Sequence, residues 1–264
     1  MTTLDLRTAL LISGSGSTAK VIIKATQTDQ LPGINPVVVI ASQPNIQGLS
    51  RAIGLGIPTA IIEPKAYSDS IRFGTALLHV CHQFKVNLIS QNGWLPLTPM
   101  NLVDIFQGHI INQHPGPLDP PHPDFGGKGM YGSRVTAARL LYLSFLSNQG
   151  FLDESDLTTQ AVTHFVTPKY DKGELIKITP LALTQIFDPS LLVNLATDHQ
   201  LLLQVTRLVQ QALLPLEHQN VIDTLLAFTR GEVSPYHQPH RLIPPKNIHI
   251  LRQAKQLAIK VFPL

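Results

Sequence analysis

Residues 8–18 read TALLISGSGST, and this stretch decides the fold. The apolar run over 8–12 is typical of a strand that is buried on both faces. A glycine- and serine-rich loop follows it, and apolar residues over 19–25 then recur with a helical period. Strand, loop and helix in this order point backbone N–H groups and the helix dipole at an anion. We expect Ser17 or Thr18 to cap the helix and to donate a hydroxyl to a phosphate oxygen.

The loop matches neither of two familiar nucleotide-binding patterns. No Gly-Lys-Ser/Thr follows it, as a P-loop requires, and its glycine spacing is not the full dinucleotide fingerprint. The loop taken alone leaves two interpretations open, an anion site and a tight strand-to-helix turn that binds nothing.

Strands and helices continue to alternate along the first half of the chain. Predicted strands cover 37–41, 57–62, 86–89 and 110–111. Predicted helices cover 47–55 and 100–106. A third helix is predicted between them, and its apolar face carries Ile71, Ala76, Leu77 and Val80. This alternation with short connections predicts an α/β fold, a Rossmann-like, mostly parallel twisted sheet with helices on both faces. Ligands of such sheets bind beyond the carboxyl ends of the strands, which places the first loop, 91–97 and 112–114 along one edge.

The second half predicts an addition to that sheet. Residues 160–167 and 174–178 read as two strands joined by a turn containing Asp and Gly, which indicates an antiparallel pair. A helix is expected from about Ser133. A long helix should follow Asp188-Pro189, with Asp188 as its cap, and another helix and a Pro/His-rich tail should follow Pro215.

The most chemically suggestive stretch is Asn112-Gln113-His114-Pro115. Residues two apart on a strand project from the same face, so the Asn112 amide and the His114 imidazole should point together. The prolines that follow end the strand and stiffen its exit. The two groups suit oxyanion stabilisation and proton transfer, although an isolated Asn-x-His at a strand end also occurs for structural reasons alone.

Composition excludes several classes of protein. Hydrophobic residues make up 44% of the 264 residues, charged residues make up 14% and the net charge is +3, which indicates a globular chain without a nucleic-acid surface. Neither a membrane span nor a signal peptide is predicted, so we expect a cytoplasmic protein. The only cysteine, Cys81, fits a reducing compartment, and His79-Val80-Cys81-His82 is better read as part of a helix than as a metal site.

Several motifs occur together in a familiar order. They are the Gly/Ser loop after the first strand, Asn112-Gln113-His114-Pro115, His164-Phe165-Val166-Thr167 followed by Asp171-Lys172-Gly173, and the loop 125–132. In this order the chain, from about 10 to 215, resembles the formyltransferases that use 10-formyltetrahydrofolate. The resemblance implies a catalytic domain over 1–215, with a phosphate-binding half over 1–110 and a folate and catalytic half over 111–215. Residues 216–264 are then a helical, Pro/His-rich extension.

The resemblance also implies roles for individual residues. Asn112, His114 and Asp171 would be catalytic, with Asp171 holding His114 or a water beside it. The substrate phosphate would bind Gly14, Ser15, Gly16, Ser17 and Thr18; the folate would bind Trp94, Leu95, Pro96, Leu97, Val166 and Thr167; further substrate contacts would come from Lys128, His164 and Gln210. His164 is as well suited to supporting the site as to touching a ligand. No metal is expected.

Departures from the family pattern concern the acceptor. The family's transformylases usually have Asn in place of Thr18, a Met-Arg pair in place of Trp94-Leu95, and a Glu-His pair in place of Gln210-Gln211, and 119–124 is an insertion. The implied reaction is formyl transfer to the amine of glycinamide ribonucleotide in purine biosynthesis. A different amine, hydrolysis of the formyl-folate and a non-enzymatic binding module are the alternatives. The partners would be small molecules, and the protein would be a monomer or a homodimer.

Overall fold

The first strand and helix form as the sequence predicts. In the computed structural model, which describes residues 4–263, β1 spans Leu6–Ile12 and α1 spans Ser17–Gln27. Alternate β1 side chains face opposite sides of the sheet. Leu10 and Ile12 pack with residues of α1, whereas Ala9 and Leu11 enter a different apolar cluster. A strand covered on both faces has no polar side, which explains its continuously apolar sequence.

The remaining elements of the first half alternate between strand and helix. They are β2 (Ile34–Ala41), α2 (Gln47–Gly54), β3 (Thr59–Ile61), α3 (Ser70–Gln83), β4 (Leu88–Gln91), α4 (Met100–Ile105) and β5 (Ile110–His114). Residues of α1 and α2 lie in the cluster with Leu10, and residues of α3 and α4 lie in the cluster with Leu11. The helices therefore cover both faces, as predicted.

The second half contributes two strands and three helices within the described range. These are α5 (Ser133–Asn148), β6 (Thr158–Phe165), β7 (Leu175–Ala182), α6 (His199–Arg230) and α7 (Ile248–Val261). The sheet order is β3-β2-β1-β4-β5-β6-β7. Strands β1 to β5 pair in parallel. Backbone hydrogen bonds from Phe165 to Glu174 and from Leu183 to Leu157 show that β6 and β7 run antiparallel. The predicted fold class is confirmed.

Some local predictions are wrong. Ile71 lies on the outer side of α3, 70% exposed, because Phe73, Leu77 and Cys81 form the buried face instead. Asp188 does act as a cap and accepts a hydrogen bond from Ser190, but it starts a short 3₁₀ helix rather than the long one. The long helix α6 begins at His199 and continues through Pro215 to Arg230, so the two separate helices that we expected are one.

The chain divides into two compact units, each with its own core. Among the described residues, the first unit comprises 4–113, 163–177 and 218–236, and the second comprises 114–162, 178–217 and 237–263. Cores of the first unit include the clusters around Leu10 and Leu11. The core of the second unit contains buried residues of α5 and α7 together with Phe125. The predicted division at residue 215 stays a prediction.

Candidate active site

Three polar side chains meet in the first unit. The Nδ2 atom of Asn112, on β5, lies 3.1 Å from Nε2 of His164, on β6, and 3.5 Å from Oδ1 of Asp171, in the turn before β7. His164 Nε2 and Asp171 Oδ1 are 3.6 Å apart. The chain separations are 52 and 59 residues, so the sheet order creates this cluster.

The hydrogen bonds of His164 define its tautomer. Its Nδ1 lies 2.7 Å from the carbonyl oxygen of Phe165, which can only accept, so Nδ1 carries a proton. In the neutral ring Nε2 then accepts from the Asn112 amide. The contact with His164 therefore fixes which way the Asn112 amide points.

The turn that carries Asp171 has a constrained backbone. Asp171 has φ of 53°, the left-handed region that Asp and Asn tolerate better than most residues. Two residues later, a Cβ on Gly173 would overlap the carbonyl oxygen of Phe165 and lie 2.5 Å from its carbonyl carbon. The Asp-x-Gly spacing is thus required by the turn as well as by the carboxylate.

His114 is the last residue of β5 and is 3% exposed. Strand geometry places its side chain on the same face as that of Asn112. It belongs to the second unit, whereas the histidine beside Asp171 in the first unit is His164. His164 is therefore one histidine partner of Asp171, and the predicted pairing of Asp171 with His114 stays a prediction.

A recess surrounds the Asn112 cluster. It is lined by Trp94, Pro96, Leu97, Val166 and Thr167 together with Asn112, His164 and Asp171, so it collects every predicted folate residue except Leu95. Its volume of about 30 Å³ has room for about one water-sized group. Trp94 is 7% exposed and stacks on Phe73, with ring centroids 6.3 Å apart.

A wider cleft adjoins the recess. It has a volume of about 580 Å³ and shares Pro96, Leu97 and Tyr170 with the recess. Leu95 and Lys65 also line it. Burial raises the pKa of Tyr170, while a hydrogen bond from the Leu97 backbone acts in the opposite direction. Lys65 was not predicted as a site residue, since it belongs to no motif, whereas Tyr170 lies within the stretch 166–171 that was expected to wall the folate pocket.

The Gly/Ser loop is shaped by glycine packing. Helix α1 starts at Ser17 with Gly16 as its cap, at φ 64°, and no side chain caps it, so the prediction of a Ser17 or Thr18 cap is wrong. A Cβ on Gly16 would lie 2.8 Å from Cα of Gly48 at the start of α2. Close approach of the two backbones leaves no space for a capping side chain on that side. The first N–H groups of α1 therefore keep their capacity to bind an anion.

Exposure differs along this loop. Gly14 and Ser15 are exposed, Ser17 is half-buried and Thr18 is buried. Arg51, in α2, donates a hydrogen bond of 2.7 Å from Nη1 to the carbonyl oxygen of Ser15. The sequence reasoning missed Arg51; the only available signal was a basic residue in the helix after the neighbouring strand.

Two predicted substrate contacts lie in the second unit. Lys128 is exposed on the loop before α5. Gln210 is half-buried, and its Oε1 accepts a hydrogen bond of 2.9 Å from Ser133 at the start of α5. The NH₂ group of the Gln210 side chain takes no part in this bond.

Comparison with known proteins shows which family of enzymes this chain is similar to. The model of the formyl transferase family matches residues 6–133. The phosphoribosylglycinamide formyltransferase of Vigna unguiculata chloroplasts is 28% identical over 200 residues, which are 75% of this chain and 58% of that protein. The trifunctional purine biosynthetic protein adenosine-3 of Bos taurus is 29% identical over 171 residues, 64% of this chain and 15% of that protein. This chain therefore spans only part of the length of both.

Solved structures share the fold. Glycinamide ribonucleotide transformylase 1 from Symbiobacterium toebii superimposes with a TM-score of 0.61 at 22% identity, covering 86% of this chain and 88% of that one. Phosphoribosylglycinamide formyltransferase from Anaplasma phagocytophilum superimposes with a TM-score of 0.63 at 19% identity, and the match covers 89% of this chain and 96% of that one. The family model therefore relates residues 6–133 to the formyl transferases, and the solved structures show that most of the chain shares their fold.

No helix within residues 4–263 is long and apolar enough to cross a membrane. Metal-free chemistry, a cytoplasmic location and a monomeric or homodimeric state stay predictions.

Proposed function

We propose that this protein transfers a formyl group from 10-formyltetrahydrofolate to the amine of a phosphorylated acceptor, glycinamide ribonucleotide in purine biosynthesis. The observation that carries the proposal is the cluster of Asn112, His164 and Asp171 inside a recess walled by the predicted folate residues. The match of residues 6–133 to the formyl transferase family supports the same reaction.

Formyl transfer involves three changes at the substrates that the protein can assist. The acceptor nitrogen attacks the formyl carbon, the carbonyl oxygen becomes an oxyanion, and a proton passes from the acceptor nitrogen to N10 of the folate as the bond between N10 and the formyl carbon breaks. Asn112 donates its amide N–H to the oxyanion, which contributes about 2.7–4 kcal/mol for a well-placed donor. His114, on the same strand face, stabilises the oxyanion as imidazolium or carries the proton.

His164 and Asp171 position Asn112 in this scheme. A neutral His164 accepts one amide hydrogen of Asn112, and Asp171 lies within 3.5 Å of the same nitrogen. The bond to His164 fixes the orientation of the amide, and the second amide hydrogen, which makes only the long 3.5 Å contact with Asp171, is the one donated to the oxyanion. His164 is 2% exposed, so water does not compete for these contacts.

The recess and cleft fit the two parts of a folate. The recess, at about 30 Å³, suits a one-carbon group, and the adjoining cleft, at about 580 Å³, falls within the range of about 300–1,000 Å³ that is usual for small-molecule sites. Phe73, Leu95 and Leu97 supply apolar walls for a ring in the cleft, whereas Trp94 and Val166 wall the recess. Lys65, at the cleft, supplies a cation for a carboxylate.

The phosphate of the acceptor binds the exposed part of the Gly/Ser loop. Gly14 and Ser15 allow close approach, and the uncapped N–H groups of α1 provide donors. Arg51 fixes the loop through the Ser15 carbonyl. Thr18, which is buried, supports the loop from within instead of reaching the phosphate.

The acceptor is the least constrained part of the proposal. Gln210 offers an uncharged amide to the acceptor, with its oxygen bonded to Ser133. A neutral side chain at this position also suits another amine, such as a sugar nucleotide. Water as the acceptor would make the protein a formyl-folate hydrolase.

A folate deformylation assay followed by absorbance tests the proposal. Glycinamide ribonucleotide heads a panel of phosphorylated amines, and a reaction without acceptor measures hydrolysis. We expect His114→Ala and Asp171→Asn to lower turnover by about 10²–10⁴-fold. His79→Ala and Asp104→Asn, at exposed positions, serve as matched controls and should keep full activity. Near-normal activity of either site variant would contradict the mechanism, and turnover without acceptor would favour the hydrolase.

A further inference from the structure

The loop between β5 and α5 is ordered by two buried carboxylates. Asp119 is 4% exposed and Asp124 is 3% exposed. Asp124 accepts hydrogen bonds of 3.0 Å from the backbone N–H groups of Asp119 and Gly126. This part of the loop, residues 117–126, contains the insertion and begins three residues after His114.

The C-terminal segment binds this loop at several points. Leu242 donates its backbone N–H to Asp119 Oδ2 at 2.8 Å, and the Gln238 amide donates to the carbonyl oxygen of Leu118. Lys255, on α7, donates from Nζ to the carbonyl oxygens of Asp124, at 3.0 Å, and Gly126, at 2.5 Å. One ammonium group therefore joins two carbonyls from either side of Phe125.

Helix α7 is a rigid platform for Lys255. Its apolar face, with Leu251, Ala254 and Ala258 buried, packs in the same core as Phe125 and α5. Arg134 of α5 adds a link, since it donates to the carbonyl oxygens of Phe262, at 2.7 Å, and Gly129, at 3.1 Å. All of these residues except Gly129 and Phe125 lie beyond the family match, which ends at 133.

We propose that Lys255 is a positioning residue that holds loop 117–126 in place and thereby fixes the chain that leaves β5 after His114. The physical reason is that this loop has no ladder of backbone hydrogen bonds, and two of its carbonyls converge on one charged donor. Charge-assisted hydrogen bonds are the strong ones, and removing the donor deletes both of these part-buried contacts at once. The consequence for turnover rests on the proposed function, whereas the consequence for the loop does not.

The test combines hydrogen–deuterium exchange with steady-state kinetics on the full chain. Lys255→Met keeps the length of the side chain and removes its charge and donors. Lys255→Arg keeps both, and Lys260→Met, an exposed lysine of the same helix, is the matched control. In Lys255→Met we expect exchange over 117–126 to rise about 10-fold, while peptides from β1 and β4 exchange as in the wild type.

The kinetic arm separates positioning from stability. We expect Lys255→Met to lower kcat about 10-fold without changing KM for the folate, and Lys255→Arg to restore kcat to within about twofold. Unchanged exchange in Lys255→Met overturns the proposal, and so does faster exchange with wild-type kcat. A wild type without formyl transfer would refute the proposed function, while the exchange arm would still decide whether Lys255 holds the loop. If Lys255→Met does not fold, Lys255→Gln, which removes the charge and keeps a shorter neutral donor, gives the same test with a smaller expected effect.

Discussion

The sharpest structural prediction concerns Gly173, because its lack of a side chain determines where Asp171 lies. A Cβ at this position would lie 2.5 Å from the carbonyl carbon of Phe165, whereas carbon atoms in contact normally stay about 3.5–4.0 Å apart. The two backbone segments must therefore separate by about 1 Å in Gly173→Ala. No rotation of a side chain relieves the overlap, because the atoms it meets are backbone.

Two costs add up in Gly173→Ala. Overpacking costs about 1–3 kcal/mol, and a backbone clash falls at the upper end. Separation also weakens the 2.9 Å hydrogen bond from Phe165 N–H to the carbonyl of Glu174, which contributes about 1 kcal/mol. We therefore expect a loss of about 3–4 kcal/mol in the free energy of unfolding. If the protein has the proposed activity, a displacement of about 1 Å at Asp171 should also lower turnover about 10²-fold.

Urea unfolding followed by circular dichroism measures the change, and two glycines of the same unit provide controls. A Cβ on Gly54 would enter open space with no unusual φ, so Gly54→Ala should change stability by less than about 1 kcal/mol. Gly231 has φ of 67° and also faces open space, so Gly231→Ala measures the conformational cost alone. That cost should lower the free energy of unfolding by about 1–2 kcal/mol. A Gly173→Ala protein as stable as Gly54→Ala would refute the reasoning.

Three further predictions concern single positions. Trp94 is the only tryptophan of the chain and lines the recess, so its fluorescence should change on titration with 5-formyltetrahydrofolate; a constant signal with calorimetrically detected binding would place the folate elsewhere. Burial raises the pKa of Cys81 to about 12, so at pH 8 only about 10⁻⁴ of the thiol is ionised and iodoacetamide should not label the native protein, whereas the urea-unfolded chain should react. A Cβ on Gly116 would overlap Cγ1 of Val135, a side chain with one preferred rotamer in a helix, so Gly116→Ala should lower the melting temperature and adding Val135→Ala should restore it; equal effects of Gly116→Ala in both backgrounds would show that the clash is absent.

Periodicity predicted the fold well because burial leaves a direct mark on sequence. Strands covered on both faces read as continuous apolar runs, and β1 and β2 were located within a few residues of their ends. Prolines and glycines mark the turns for steric reasons that are local. Asn112 and His114 lie on β5, as expected from the apolar residues before them.

Local signals failed where tertiary packing opposed them. Pro215 should interrupt a helix, yet α6 continues through it. Buried residues hold the helix on both sides of the proline, with Leu202 and Val209 before it in the core of the second unit and Val221 and Leu225 after it in the core of the first. Ile71 is an apolar residue that packing leaves outside, because the buried face of α3 includes Phe73 instead.

The order of strands and helices, the Gly/Ser loop, and an amide, an imidazole and a carboxylate in family-like motifs can be recognised in the sequence alone. These features follow from residue types and their spacing along the chain, which are local. The fold is needed to show that His164 lies beside Asp171 and Asn112, and that Arg51 reaches the first loop. Such contacts depend on which strands become neighbours, and neighbours are selected by the burial of whole faces rather than by any single stretch.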